Sequence, residues 1–216
     1  MNSLIELSES IAMILNKESD VVFKEKLKFD IKTLRSLFVS QDTVKNIVDS
    51  RLIQPIVFDL EEVDMSLTCD INVGCKVLKT VNKVPTPIRL KSTSPFTYVG
   101  DLDGNGISMV KVEDWDLTEF SKYRSTVPIY DYFNDYIYIK KGKIREFLLV
   151  KGIFENPEEL KKCCSTSTNV ANFDLETYPM PLDLAARIKD TIIRSELRVY
   201  NGEDKEVKLD TETVKK

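Results

Sequence analysis

The sequence of 216 residues contains no histidine. Its absence excludes a Ser-His-Asp triad, a Cys-His pair and any imidazole ligand for a metal. Histidine is also the commonest general base near neutral pH, so a non-enzymatic protein is expected, although carboxylate and lysine chemistry stay open. Only seven glycines are present, and the patterns GxxxxGK[ST], GxGxxG and HExxH do not occur. A loop that cradles a nucleotide phosphate is therefore not expected.

Long apolar runs and a strong charge of one sign are also missing. No run approaches the roughly 18 residues that cross a bilayer, and the N-terminal stretch has acids among its apolar residues and no basic region, unlike a signal peptide. The net charge is −4, from 31 basic and 35 acidic residues spread along the chain. This balance argues against nucleic-acid binding as the main function, because phosphate binding needs a clustered basic surface.

The chain has four cysteines, Cys69, Cys75, Cys163 and Cys164. Without a secretion signal they are interpreted as reduced thiols. The first two are six residues apart, which is too wide for a zinc knuckle, and two adjacent cysteines rarely bind one ion together. No metal and no cofactor is expected.

Apolar residues at three- and four-residue spacing predict helices in the first fifty residues. A first helix carries the stripe Leu4, Leu7, Ile11, Ile14 and Leu15. A second, capped by Ser19 or Asp20 and ending near Val39, carries Phe23, Leu27, Ile31, Leu34 and Phe38. Residues 40–42 are expected to break it, and a short third helix is expected over 43–49.

From Gln54 the pattern changes to strands, with Ile56, Phe58 and Leu60 on one face. Residues 75–90 predict either a strand pair or one strand that enters an extended segment marked by two prolines. Two further strands flank residues 101–106. Residues 127–154 predict a three-stranded meander with tight turns at 134–135 and around Gly142.

The last third predicts helices again. Asn156 and Pro157 indicate the start of a short helix, and Pro181 or Leu182 begins a longer one that ends near Arg198. Its stripe is Leu184 (or Ala185), Ile188, Ile192 and Leu197. Residues 201–216 are highly charged and are predicted to form a flexible arm.

This order of elements predicts an α+β fold. Its parts are an N-terminal helical hairpin or bundle, an antiparallel β-rich centre with the meander, and a C-terminal helix with a charged extended arm. The expected segments, within one integrated domain, are 1–52 (helical), 53–155 (β-rich), 156–200 (helical connector and C-terminal helix) and 201–216 (arm).

Residues 101–106, DLDGNG, match the first half of a calcium loop, with Asp101 at its first position. The match then fails, because Ser108 and Val112 stand where an apolar residue and a bidentate glutamate are required. Asn105-Gly106 between two strands favours a hairpin turn. A weak cation site at Asp101–Gly106 is the alternative, and acids around Trp115 are interpreted as a solvated rim.

Several tyrosines cluster between residues 123 and 138. Their neighbours are acids and asparagine, so a protein interface is favoured over stacking on nucleic-acid bases. Together with the helical stripes they form the candidate subunit interface. Its residues are Leu4, Leu7, Ile11, Phe23, Leu27, Ile31, Leu34, Phe38, Tyr130, Tyr132, Tyr136, Tyr138, Ile188, Ile192 and Leu197.

Five stretches of the chain are informative when they are taken together: RLIQPIVFDLEEVDMSLTCDINVGCKVLKTVNKVPTPIRL, PFTYVGDLDGNG, VPIYDYFNDYIYI, LLVKGIFENPEEL and MPLDLAARIKDTIIRSELRVY. They resemble the connector ring proteins encoded near the portal gene of crAss-like phages. The resemblance spans roughly residues 1–200 and carries no site motif. It implies a virion structural protein that forms a ring of about twelve copies (a dodecamer) under the portal, a head-to-tail connector used in DNA ejection.

The partners implied are copies of the chain itself, the portal protein, other ring and tail proteins, and genomic DNA that passes through the lumen without sequence-specific contacts. The implied location is the head–tail interface of the virion, after synthesis in the host cytoplasm, with no membrane. Two alternatives stay open. One is a cytoplasmic α+β module that binds a protein through its tyrosines. The other is a hydrolase with a divalent cation at Asp101, Asp103 and Glu113.

Overall fold

The computed structural model describes residues 3–45, 49–64, 76–88, 94–119, 127–140, 146–160 and 178–212. The helices are α1 (Leu4–Ile14), α2 (Val21–Val44), α3 (Trp115–Glu119) and α4 (Leu182–Glu212). The strands are β1 (Gln54–Asp64), β2 (Lys76–Thr80), β3 (Tyr98–Gly100), β4 (Ser108–Met109), β5 (Ile129–Phe133), β6 (Tyr136–Lys140) and β7 (Phe147–Gly152). Short 3₁₀ turns cover Ser50–Leu52 and Val112–Asp114.

The chain folds into two compact units. A helical unit combines residues 1–38 with residues 172–216, and a sheet unit contains residues 39–171. The α+β class with helices at both ends is confirmed. The helical unit joins the two ends of the chain, which the order of elements did not predict. The segment boundaries expected at 52, 155 and 200 stay predictions.

The first two helices begin where the sequence predicts. At the start of α1, the Ser3 hydroxyl accepts from the Glu6 amide at 3.1 Å and the Glu6 carboxylate accepts from the Ser3 amide at 2.9 Å. This reciprocal pair is a capping box. At the start of α2, the Asp20 carboxylate accepts from the Phe23 amide at 2.9 Å, so Asp20 and not Ser19 is the capping residue.

The predicted end of α2 near Val39 is wrong, because the helix continues to Val44. Val39 and Thr43 are both buried one turn apart, so the buried face of the helix extends past the polar residues 40–42. No proline or glycine interrupts those residues. The third helix expected over 43–49 is also wrong in its described part, since Thr43 belongs to α2 and Asp49 caps the 3₁₀ turn.

Helix α4 begins at Leu182, as predicted, but it passes the expected end at Arg198 and reaches Glu212. Residues 201–212, expected as an extended arm, are therefore helical in backbone. Composition suggested disorder because these residues are charged, yet glutamate and lysine are good helix formers. Propagating a helix already begun by packed residues also avoids the cost of nucleation. Residues 213–216 lie outside the description.

The sheet has the order β3-β7-β1-β2-β6-β5-β4. All neighbouring pairs are antiparallel except β4 and β5. Residues 105–110 link its two edges, because Gly106 forms a bridge with Gly100 at β3 and the Val110 amide donates to Tyr130 in β5 at 2.9 Å. The sheet therefore curls until its edge strands are joined by one segment.

The three-stranded meander predicted over 127–154 is only partly present. Strands β5 and β6 form the expected hairpin, and both turn residues are left-handed, Asn134 with φ 50° and Asp135 with φ 64°. Strand β7 does not pair with β6; it pairs with β1 and β3. Sequence proximity predicted the local pairing, whereas the observed one places β1 and β2 between β6 and β7. The turn expected around Gly142 lies outside the described residues.

The predicted turn at Asn105-Gly106 is displaced. The left-handed residue is Gly104, with φ 94°, and its amide donates to the Asp101 carbonyl at 3.4 Å. Asn105 and Gly106 instead continue into the segment that joins the sheet edges. After β2 the described residues 81–88 form no second strand, and Pro87 makes an isolated bridge to Phe154. Within residues 76–88 this agrees with the second reading, a single strand followed by a proline-marked segment.

The concave face of the sheet holds the main core of this unit. Ile56 and Phe58 of β1 point into it, with Leu60 partly buried beside them, as the alternation predicted. The other buried members are Val84, Phe96, Val99, Ile107, Tyr130, Ile137, Ile139, Leu148, Val150, Phe154 and Leu160. The helix predicted after Asn156 is described only at residues 159–160.

Candidate subunit interface

The four tyrosines of the β5–β6 hairpin do not share one face of the sheet. The two-residue turn pairs Phe133 with Tyr136, so Tyr130 lies opposite Ile139 while Tyr138 lies opposite Asp131. Tyr130 is buried in the main core, and Tyr138 belongs to a second cluster on the convex face. The four tyrosines therefore do not form one continuous surface, and their use between subunits stays a prediction. Tyr123 lies outside the described residues.

Burial and hydrogen bonding affect two of these rings electrostatically. Burial raises the pKa of Tyr130, against a hydrogen bond of 2.6 Å with Ser94 that lowers it. Burial, with the nearby carboxylates of Asp135 and Glu155, raises the pKa of Tyr132 to about 12. Both phenols therefore favour the neutral form, and Tyr132 stacks edge-on against Phe96 with the ring centroids 5.2 Å apart. These are the properties of packed rings.

Most of the predicted interface residues in the helices are buried within the folded chain. Contacts between α1 and α4 and a hydrogen bond between Lys189 and Ser10 hold the helical unit together. Leu34 and Phe38 are partly buried, and Leu197 is exposed. The buried members are Leu4, Leu7, Ile11, Phe23, Leu27, Ile31, Ile188 and Ile192. Their use between subunits stays a prediction, and the surfaces available to a partner are the opposite faces.

Helix α2 carries three large apolar side chains on its exposed side, about two helical turns apart, with the polar residues Lys26 and Thr33 between them. Val22, Phe29 and Leu37, named here the outer stripe, are 81%, 69% and 49% exposed. Spacings of seven and eight residues place them on one side of a helix, over a length of about 22 Å. They lie opposite the buried residues Phe23, Leu27 and Ile31. Met13, Ile14 and Val21, at the corner between α1 and α2, are also exposed.

The convex face of the sheet presents an apolar patch where β1 meets β7. Val57 pairs with Leu149, and Phe147 lies two residues before Leu149 on the same face. The side chains of Val57 and Phe147 are 40% and 44% exposed, and that of Leu149 is partly buried. These three residues are named here the sheet patch. Asp59 lies across from Phe147, and Lys151 across from Pro55, so charges of both signs flank the patch.

The other half of the convex face is covered by the chain itself. Trp115 is fully buried there with Val77, Ile129 and Tyr138, and its indole nitrogen donates to the Val110 carbonyl at 2.9 Å. The acids beside Trp115 are exposed as predicted, and Asp116 pairs with the buried Lys140 at 3.2 Å. The sheet patch lies on the other half of the convex face, which the segment around Trp115 does not cover.

Sequence reasoning missed both surfaces because it assigned one apolar face to each element. The signal was present. Helix α2 has apolar residues at seven- and eight-residue spacing outside its main stripe, and β1 has Pro55 and Val57 between its core residues. Antiparallel sheets commonly have one polar face in water, so an outward apolar side chain such as Val57 was the informative departure.

The loop at residues 101–106 has the bonding of a closed turn. The Asp101 carboxylate accepts from the Asn105 amide at 2.7 Å and from the Asn105 side chain at 2.9 Å. Within the described ranges, no group of three or more acidic, cysteine or histidine side chains is arranged to hold a metal ion. The four cysteines lie outside those ranges. Among the described helices, none is long and apolar enough to cross a membrane.

Comparison with known proteins yields one family. The family described as phage tail ring protein 2, from crAss-like phages, matches residues 6–212. A search of curated proteins found no match.

Proposed function

Because the chain belongs to the phage tail ring protein 2 family of crAss-like phages, we propose that its ring is the connector that joins the portal to the tail. Membership establishes a structural protein of the phage tail whose copies associate into rings. The position against the portal, a copy number of about twelve and passage of the genome through the lumen are the proposed part. The match over residues 6–212 carries the proposal.

The exposed surfaces support an assembly role. The outer stripe and the sheet patch each place three large apolar side chains on regular secondary structure. Large exposed apolar side chains that share one face and are flanked by polar residues are one mark of an association surface. Because the two edges of the sheet are joined, few unpaired strand edges are available to a partner. Contacts between copies therefore depend mainly on side chains.

The charge balance agrees with a channel that DNA passes through. A net charge of −4 supplies no excess of cations to hold phosphates. A lumen built from such subunits allows the genome to slide during ejection. The two alternative functions receive no comparable support, because the tyrosines face opposite sides of the sheet and the Asp101 carboxylate is engaged by Asn105.

The test is reconstitution with the portal protein of the same phage. The purified chain is mixed with that portal and imaged by electron microscopy, with particle masses measured in solution. We expect rings of about twelve copies attached to one end of the portal. Portal from an unrelated phage is the control and should carry no ring. Rings that form but never attach to the matching portal would contradict the connector role.

A further inference from the structure

We propose that neighbouring copies in the ring join by seating the outer stripe of one copy on the sheet patch of the next. The inference rests on the proposed function only in so far as the chain forms a ring, and it names the two surfaces that meet. It concerns Val22, Phe29 and Leu37 on the helix, and Val57, Phe147 and Leu149 on the sheet.

Symmetry excludes the pairing of either surface with its own copy. If the outer stripe met its own copy, or the sheet patch met its own copy, each contact would be two-fold and would relate neighbours in opposite orientations. A tail ring is polar, since its two faces meet different neighbours. A closed polar ring therefore needs two different surfaces on every subunit, each complementary to the other.

The two surfaces suit each other physically. A helix with an apolar stripe and a sheet with an apolar face are the pair of elements that pack together inside ordinary α+β domains. The three side chains of the outer stripe are distributed over about 22 Å of helix α2. The sheet patch spans the neighbouring strands β1 and β7. Each has charges of both signs beside it: Glu25 and Lys26 along the stripe, Asp59 and Lys151 along the patch. A polar rim around an apolar centre is typical of subunit contacts.

In the described part of the chain, seven large apolar side chains are exposed outside these two surfaces and the corner between α1 and α2. They are Val44 at the end of α2, Val81 after β2, Leu102 in a loop, Leu117 on α3, Val127 before β5, and Leu182 and Leu197 on α4. They are distributed among separate elements and loops and do not form a third group of three. Met13, Ile14 and Val21 adjoin the Val22 end of the stripe and extend it.

The experiment uses one charged variant of each surface in the full-length chain. Phe29→Glu disables the stripe and Val57→Glu disables the patch, and both side chains are exposed enough for the fold to survive. We expect each variant alone to form no rings at concentrations where the wild type assembles, a loss of at least about 100-fold in association. Leu117→Glu makes the same chemical change at an isolated exposed position and should leave the rings intact.

Mixing the two variants gives the decisive readout. Each retains one working surface, so an equimolar mixture should form a one-to-one pair that cannot grow, detected as a dimer by solution mass measurement. Phe147→Lys is a second patch variant; its lysine faces Asp59 across the strands, which favours folding. Circular dichroism and thermal unfolding verify the fold of every variant.

The outcomes separate this inference from the connector role. Rings formed by either single variant, or a mixture that yields no dimer, would overturn the cross pairing while leaving the connector role standing. Variants that assemble normally but lose the portal would assign these surfaces to the portal and also overturn it. Wild-type rings that ignore the portal, together with dimers in the mixture, would support the pairing and contradict the connector role.

Discussion

The side chain of Asp131 is predicted to hold the segment that covers half of the convex face. Asp131 is nearly buried, and its carboxylate accepts from the Val112 amide and from the Tyr132 amide, both at 2.8 Å. Val112 begins the 3₁₀ turn that leads into α3 and places Trp115 over the sheet. Asp131→Ala removes the acceptor of the Val112 amide while leaving the sheet contacts of β5 in place.

The magnitude follows from the type of bond that is lost. A hydrogen bond to a charged group contributes about 1.5–3 kcal/mol. With a urea dependence of about 2 kcal/mol per molar for a domain of this size, a loss of about 2 kcal/mol lowers the unfolding midpoint by about 1 M. Asp131→Asn retains one carbonyl oxygen as an acceptor, so its loss should be smaller than that of the alanine variant.

The assay uses the fluorescence of Trp115, the only tryptophan in the chain. Because this ring is fully buried, unfolding exposes it to water and changes its emission, and the signal reports on the sheet unit. Glu113→Ala, an exposed acid in the same turn, is the matched control and should leave the midpoint unchanged. An alanine variant at 131 that unfolds at the wild-type urea concentration would refute the anchoring role.

Three further predictions concern single positions in the sheet unit. Gly100→Ala should lower the free energy of unfolding by about 1–3 kcal/mol, measured by thermal unfolding, because the added carbon would overlap the Tyr98 hydroxyl. Gly106→Ala is the control and should be tolerated, since its added carbon would be 3.5 Å from the nearest atom. Equal effects of the two substitutions would contradict the predicted clash. Tyr132 has a raised pKa of about 12, so its contribution to stability is complete below the unfolded value near 10 and is lost as pH rises to about 12. Tyr132→Phe should flatten this alkaline loss, and an unchanged profile would assign it elsewhere. Asp135→Gly should stabilise the hairpin by up to about 1 kcal/mol, since its φ is positive; a lower unfolding temperature would mean that the exposed ion pair of Asp135 contributes more than the backbone strain.

The sequence predicted most of what local physics determines. The capping residue Asp20, the stripe of Leu4, Leu7 and Ile11, and the core face of β1 follow from spacing and side-chain chemistry alone. The turn at residues 134–135 was recognisable because two residues that tolerate positive φ stand between alternating strands. These features depend on residues only a few positions apart.

The errors arose where distant residues decide the outcome. Strand β7 pairs with β1, more than eighty residues earlier in the chain, and periodicity cannot choose between that partner and the adjacent β6. The hairpin tyrosines are a second case: because Phe133 pairs with Tyr136, the two tyrosines of β5 and the two of β6 lie on opposite sides of the sheet. Register therefore had to be worked out before a face was assigned.

The predicted subunit interface stays a prediction, but the burial of most of its helical members is informative about ring proteins. The most regular apolar stripe of α2 was selected, and it is buried within the chain. A subunit that folds before it assembles uses its strongest stripe for its own core, so the side chains left exposed on the other side are the ones we propose for assembly. Besides its buried face, helix α2 has three large exposed apolar side chains, Val22, Phe29 and Leu37, on its outer side. The chain covers one face of this helix, and the family to which it belongs supplies a reason for the other to be covered by a neighbouring copy.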